Sequence, residues 1–199
     1  MEEKVLEEMQ GKKETPEDSG EKKKKPMSLV RQLVLLMILV VIMRNSIGTV
    51  LVKGSSMEPN FHHGDLVFIN KLATSIGNPD YGDVVICKLD EGSSYENIIK
   101  RVIGLPGDVL VILENEKGTC DLYRNGLKIT EPFLREEMVS KGNIHYPFLV
   151  PENSYFVMGD NRNESLDSRR ESVGAIEKKD LKGKVVLRLY PFDTFGPIE

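Results

Sequence analysis

The sequence predicts a mainly β protein, built of antiparallel sheets and preceded by a single N-terminal transmembrane helix. Three observations carry that expectation. One apolar run near the N-terminus is bracketed by arginines. From about residue 50 the chain breaks into short β-prone segments separated by Gly, Asp, Asn and Pro clusters. Beyond that point no helical pattern of ordinary length stands out.

Residues 1–27 are almost wholly polar and rich in Glu, Lys and Gly. Such a stretch buries too little apolar surface to offset its ordering entropy, so a charged, disordered cytoplasmic tail is expected. Residues 28–48 are expected to form the transmembrane anchor. Their unbroken apolar run, Leu33 to Met43, is short against the roughly 20 residues a span needs. Arg31 and Arg44 near its ends can snorkel to the interfaces. The basic run Lys22 to Lys25 just before it puts the N-terminus in the cytoplasm and the remainder outside. A cleavable secretory signal is the alternative, but Ile47-Gly48-Thr49-Val50 is a poor small-x-small cleavage site. Residues 49–199 are expected to form an extracytoplasmic β-rich domain, with strands at Leu66–Ile69, Asp83–Ile86, Val109–Ile112, Tyr155–Met158 and Lys184–Leu187.

A length of 199 residues fits one folded domain with appendages. A hydrophobic content of 40% is enough for a core, and a net charge of -4 argues against a nucleic-acid partner. Cys87 and Cys120 are too few for a disulfide scaffold or a zinc site. They are read as two free thiols, although an exported domain permits a disulfide. His62, His63 and His145 show no ligand spacing, so no metal and no cofactor is expected.

Three segments have the residue types of a reaction centre. Gly54-Ser55-Ser56-Met57-Glu58-Pro59 puts a serine just beyond the anchor, close to the outer membrane face; alone it reads as a turn. Lys100-Arg101 ends an apolar pair, Ile98-Ile99, ahead of a tight Leu105-Pro106-Gly107-Asp108 turn. The plain reading is an edge-strand lysine before a hairpin. If instead its ammonium is desolvated, burial disfavours the charged form, and a neutral lysine can take the proton of a serine hydroxyl. Gly159 to Arg169 packs many polar groups into one loop. There Asp160, Arg162, Asp167 and Arg169 allow alternate-sign pairing, and Ser165 is placed to orient a lysine amine.

In this order the three segments resemble the bacterial type I signal peptidases, in the Gram-positive style. Ser56 to Pro59 looks like the nucleophile box, and Gly82-Asp83-Val84-Val85 is similar to the strand box after it. Lys100-Arg101 with Gly104 to Asp108 matches the base box, and Gly159 to Arg169 matches the last box. The likeness covers about residues 28–199. It implies the signal-peptidase-type β domain and a Ser/Lys dyad. In that dyad Ser56 is the nucleophile, Lys100 the general base and Ser165 the group that orients the lysine. Asp160 would pair with Arg101, while Arg162, Asp167 and Arg169 would support the loop. The oxyanion hole would rest on the Ser56 backbone N–H. Some members have a serine two positions before the nucleophile; here that position is Gly54.

The resemblance also implies the substrate, the signal peptide of an exported pre-protein bound as an extended strand and cut after an A-x-A sequence. Val52, Met57, Phe61 and Ile99 are the candidates to line its pockets, with Met57 on the apolar, membrane-facing surface beside Ser56; Met57 and Phe61 read equally well as core residues. Strand alternation turns Ile99 away from the Lys100 side chain. The partners expected are signal peptides and the lipid bilayer, not nucleic acid. Two rivals fit less well. Self-cleaving repressors carry a DNA-binding domain that the N-terminal residues cannot form, and non-catalytic assembly helpers would lack the serine or the lysine.

Overall fold

The computed structural model describes residues 28–89 and 97–198; the tail expected over residues 1–27 lies outside them. The chain divides within its first helix into two compact units, Met1–Ile38 and Leu39–Glu199.

Helix α1 (Leu29–Ser46) has no polar face, and its apolar side chains are exposed. By length and composition it is able to cross a membrane. It ends two residues short of the expected span. The Ser46 hydroxyl turns back to the Ile42 carbonyl at 2.7 Å, and Ile47 already begins a strand. The cause is pairing: Ile47–Leu51 (β1) runs antiparallel to Leu66–Asn70 (β2) over its whole length. The Lys71 N–H donates to the Ser46 carbonyl.

The rest is mainly β, as expected, with a short α-helix at Leu72–Ser75. Val84–Lys88 (β3), Asn97–Gly104 (β4), Ser154–Met158 (β9), Ile176–Glu177 (β10) and Leu181–Tyr190 (β11) join β1 and β2 in the main sheet. Its order is β1-β2-β11-β3-β4-β9-β10, with Gly196–Pro197 (β12) paired to β11. A second sheet has the order β7-β6-β5-β8. It comprises Val109–Glu114 (β5), Cys120–Arg124 (β6), Leu127–Lys128 (β7) and Phe148–Leu149 (β8). Every strand pair is antiparallel.

The middle of the main sheet is covered on both faces. On β3, alternation sends Val84 and Ile86 into one cluster with Val52, Val67, Ile69 and Val185. It sends Val85 and Cys87 into another with Ile98, Val102, Val157 and Leu181. A third cluster, around Ile103, Leu110, Ile112 and Phe156, joins the two sheets. Lys100 sits in β4, which pairs with β3 over Asn97–Arg101 and with β9 only from Arg101 onward, and every β4 residue after Asn97 is buried. The Leu105–Asp108 turn forms as its sequence predicts, with Gly107 at φ 84° and the Asp108 N–H donating to the Leu105 carbonyl. Cys87 and Cys120 are both free.

Candidate active site

Ser56 lies on a tight turn that follows β1. The Glu58 N–H donates to the Ser55 carbonyl and the Phe61 N–H to the Met57 carbonyl. The turn is pinned from below because Met57 and Phe61 insert into the first core cluster, each 1% exposed. Gly54 enters it at φ 87°, a left-handed conformation that glycine adopts without strain. A serine at this position would be strained whatever its hydroxyl offered.

Lys100 reaches the same point from β4. Only 2% of the residue is exposed. Its Nζ donates to Ser56 Oγ at 2.7 Å and to the Ile99 carbonyl at 2.8 Å. Burial lowers its pKa from 10.5 to about 8. The Asp167, Cys87 and Asp160 charges pull the other way, and Arg169 adds to the lowering. The arrangement provides an oxygen nucleophile against an amine that is partly neutral near physiological pH.

Arg101, the next residue, is also buried, but each of its three guanidinium nitrogens has a hydrogen-bond partner. Its Nε and one terminal nitrogen donate to the two Asp160 oxygens at 2.8 and 2.7 Å. The other terminal nitrogen donates to the Gly82 carbonyl at 2.8 Å. The guanidinium lies over the Phe133 ring, 4.2 Å from its centre. In the last loop Asp167 accepts two bonds from the Arg169 guanidinium at 2.9 Å each, and one from the Gly159 N–H at 3.1 Å. Burial pushes the Asp167 carboxyl up, yet the Arg169 bond and charge together with the Gly159 N–H hold it below the ordinary value.

Ser56 and Lys100 open onto a cleft of about 700 Å³. Val50, Val52, Ile86, Ile98, Ile99 and Leu166 make its walls apolar. Two strand edges border it. β1 ends the main sheet, and among the described residues β4 pairs with β9 only from Arg101 onward.

A family model described as signal peptidase, peptidase S26, matches residues 27–190. The chain belongs to this signal peptidase family. It is accordingly a serine peptidase, a hydrolase. It is similar to signal peptidase I S of Bacillus subtilis (strain 168), 37% identical over 86% of this chain and 93% of that one. It is also similar to signal peptidase I of Bacillus licheniformis, 35% identical over 90% and 96%. The crystal structure of a signal peptidase I from Enterococcus faecalis V583 aligns at 27% identity with a TM-score of 0.41, covering 54% of this chain and 96% of that one.

Against this family background, the expected site residues divide into groups. Ser56 and Lys100 meet. Asp160 meets Arg101, and Asp167 meets Arg169. Val52 and Ile99 line the cleft. Met57 and Phe61 do not. Both are core residues beneath the Ser56 turn, and Met57 is not on an apolar surface, because the turn's backbone bonds point its side chain inward. The buried Ser165 hydroxyl makes no hydrogen bond of acceptable geometry, although it is near enough to Asp167 to favour that carboxylate. It also crowds Gly159, where a Cβ would overlap both Ser165 Oγ and the Ser56 carbonyl oxygen.

Two contributors were not expected. Asn161 ties the last loop to the Ser56 turn. Its N–H donates to the Ser56 carbonyl at 3.1 Å and its side-chain amide to the Ser55 carbonyl at 3.3 Å. It sits inside a segment already singled out by its polarity. Glu131, which pairs with Arg162, lies in no such segment and carries no local signal.

Proposed function

We propose that this chain is a signal peptidase I that removes N-terminal signal peptides from exported pre-proteins through a Ser56/Lys100 dyad, cutting after small residues. The observation that carries the reading is the 2.7 Å contact between Ser56 Oγ and an almost wholly buried Lys100 Nζ. With Lys100 neutral, the Ser56 O–H donates to Nζ, and the proton passes there as Oγ attacks the scissile carbonyl. The oxyanion of the tetrahedral intermediate is received by the Ser56 backbone N–H. The Lys100 ammonium then returns its proton to the leaving amine as the peptide C–N bond breaks, leaving an ester on Ser56. Neutral again, Lys100 takes a proton from water, whose oxygen attacks the ester. The ester bond breaks as the Lys100 ammonium returns this proton to Ser56 Oγ, which frees the carboxylic acid product, ionised in water, and restores both Ser56 and neutral Lys100. Ser165 orients the amine between these transfers.

The substrate lies extended along the free edges of β1 and β4, its backbone groups meeting unpaired N–H and C=O groups. The apolar walls at Val52 and Ile99 take the side chains before the cut, and shallow walls favour Ala-x-Ala. Helix α1 anchors the chain in the bilayer as a single pass. The cytoplasmic tail is residues 1–27 and the peptidase domain, residues 49–199, is extracytoplasmic.

The test is cleavage of a pre-protein carrying an Ala-x-Ala site, in detergent or lipid, by wild type and by Ser56→Ala. Cutting after the second alanine by wild type alone is the expected result. Equal cutting by Ser56→Ala removes the nucleophile from the account.

A further inference from the structure

We propose that Glu131 is a positioning residue for the dyad, acting through Arg162 on Gly159, the residue packed against both Ser56 and Ser165. The inference rests on the Ser56/Lys100 reading.

Glu131 lies between β7 and β8, far in sequence from the dyad and from the last loop. Its side chain is 5% exposed and that of Arg162 is 1% exposed. Both Arg162 terminal nitrogens donate to the two Glu131 oxygens at 2.5 Å. A bidentate pair of this kind fixes the plane of the guanidinium as well as its position. The plane matters because the remaining donor, Arg162 Nε, is aimed at the Gly159 carbonyl at 3.1 Å. The Gly159 N–H is held from the other side by Asp167. Gly159 is therefore clamped at both of its backbone polar groups, each by one member of an ion pair.

Gly159 has no room to move toward the site. A single added carbon would overlap Ser165 Oγ and the Ser56 carbonyl oxygen. Displacement of Gly159 is thus displacement of the nucleophile's own peptide and of the hydroxyl assigned to the lysine. Further contacts from Glu131's segment hold the same loop: Val139 N–H to Asn163 Oδ1, Asn163 Nδ2 to the Glu137 carbonyl, and Arg169 to the Ser140 carbonyl. Glu131 supplies the buried, charged member of that set, and the one whose geometry dictates where Arg162 Nε points.

The experiment measures kcat and KM on the same Ala-x-Ala substrate, with full-length chain in detergent, below the melting temperature of each variant. Glu131→Gln keeps the size and one acceptor but loses the charge. Its kcat is expected to fall about 10- to 100-fold, the scale of a catalytic group displaced by about an ångström, with KM within about twofold. Arg162→Ala should lose a similar factor, and the double variant should be no worse than Arg162→Ala alone. A wild-type kcat in Glu131→Gln, with only its melting temperature lowered, makes the pair purely structural and overturns the proposal. So do losses that multiply in the double variant. If Glu131→Gln does not fold, Glu131→Met/Arg162→Met removes both charges and leaves none unpaired. A folded double-Met protein with low kcat supports the role, and one with wild-type kcat refutes it. Ser56→Ala, assayed in parallel, reports on the dyad itself: if it still cleaves, the dyad reading has failed, independently of Glu131.

Discussion

The two faces of β4 each bury a cation, Lys100 and Arg101, at 2% and 3% exposure, and they accommodate it in opposite ways. On one face Lys100 hydrogen-bonds, among the described residues, only to neutral oxygens, Ser56 Oγ and the Ile99 carbonyl, and burial drags its pKa down to about 8. On the other, Arg101 has a carboxylate on two of its nitrogens, a carbonyl on the third and an aromatic ring beneath. The difference follows from the groups. A guanidinium does not release its proton in a protein, so its burial is tolerable only with full pairing. An ammonium can shed the burial penalty by deprotonating, and the product of that escape is a base. Adjacent positions of one strand thus hold an amine whose proton is loosened and a guanidinium whose charge is matched, and on the proposed function the first is the reactive group.

The largest effect that sharpens this contrast is on catalysis. Lys100→Ala should lower kcat/KM on the order of 10²- to 10⁴-fold, the range for a lost general base, while the protein stays folded. In wild type, kcat/KM should rise with pH through about 8 as Lys100 loses its proton. Stability should follow the same group. A depressed lysine pKa means that the folded state binds the proton more weakly than the unfolded chain. The penalty is full below about 8 and fades as pH rises toward 10.5. Denaturant titrations should show stability climbing across that window in wild type and the Lys100 contribution missing in Lys100→Ala. Retained turnover in the variant would dissolve the contrast.

Next in size is the opposite face. Asp160→Asn leaves the Arg101 guanidinium buried without a counter-charge, and removing one partner of such a pair costs about 3–5 kcal/mol. The loss should appear in the denaturation midpoint, without the pH window of Lys100. A variant as stable as wild type would mean that Arg101 is not held by its carboxylate after all.

How much of this was legible in the sequence depended on how local each signal was. The strands at Leu66, Val84, Val109, Tyr155 and Lys184 announce themselves by β-prone runs between turn residues, and all form. The end of α1 did not, because Ile47 and Gly48 are drawn into β1 by pairing with β2, a contact made by residues much later in the chain. Lys100 was legible as a candidate, but its burial was not, since the elements packed around it come from distant segments. The Asp160 and Asp167 pairs lie within or beside boxes already rich in charge. Glu131 meets Arg162 across a stretch that carries no pattern, one acidic residue among several. Met57 and Phe61 were placed near the nucleophile, but only the turn's hydrogen bonds decide that they face the core.

The smallest expected effect concerns Ser165. Its hydroxyl is buried with no well-formed partner, a state that costs roughly 1–3 kcal/mol in a folded protein. A catalytic contact in which Ser165 Oγ accepts an N–H of the Lys100 amine, whose single lone pair faces Ser56, would give this hydroxyl a partner. Ser165→Ala removes the unpaired group, so stability should hold or rise slightly. The amine, no longer oriented, should transfer protons less efficiently, and kcat should fall by roughly tenfold while KM moves less. The two readouts then move in opposite directions, which distinguishes orientation from packing: a packing residue would lose stability and rate together. An unchanged kcat would leave Ser165 as a space-filling residue over Gly159, and the dyad would have to hold its geometry through the Ile99 carbonyl and the loop alone.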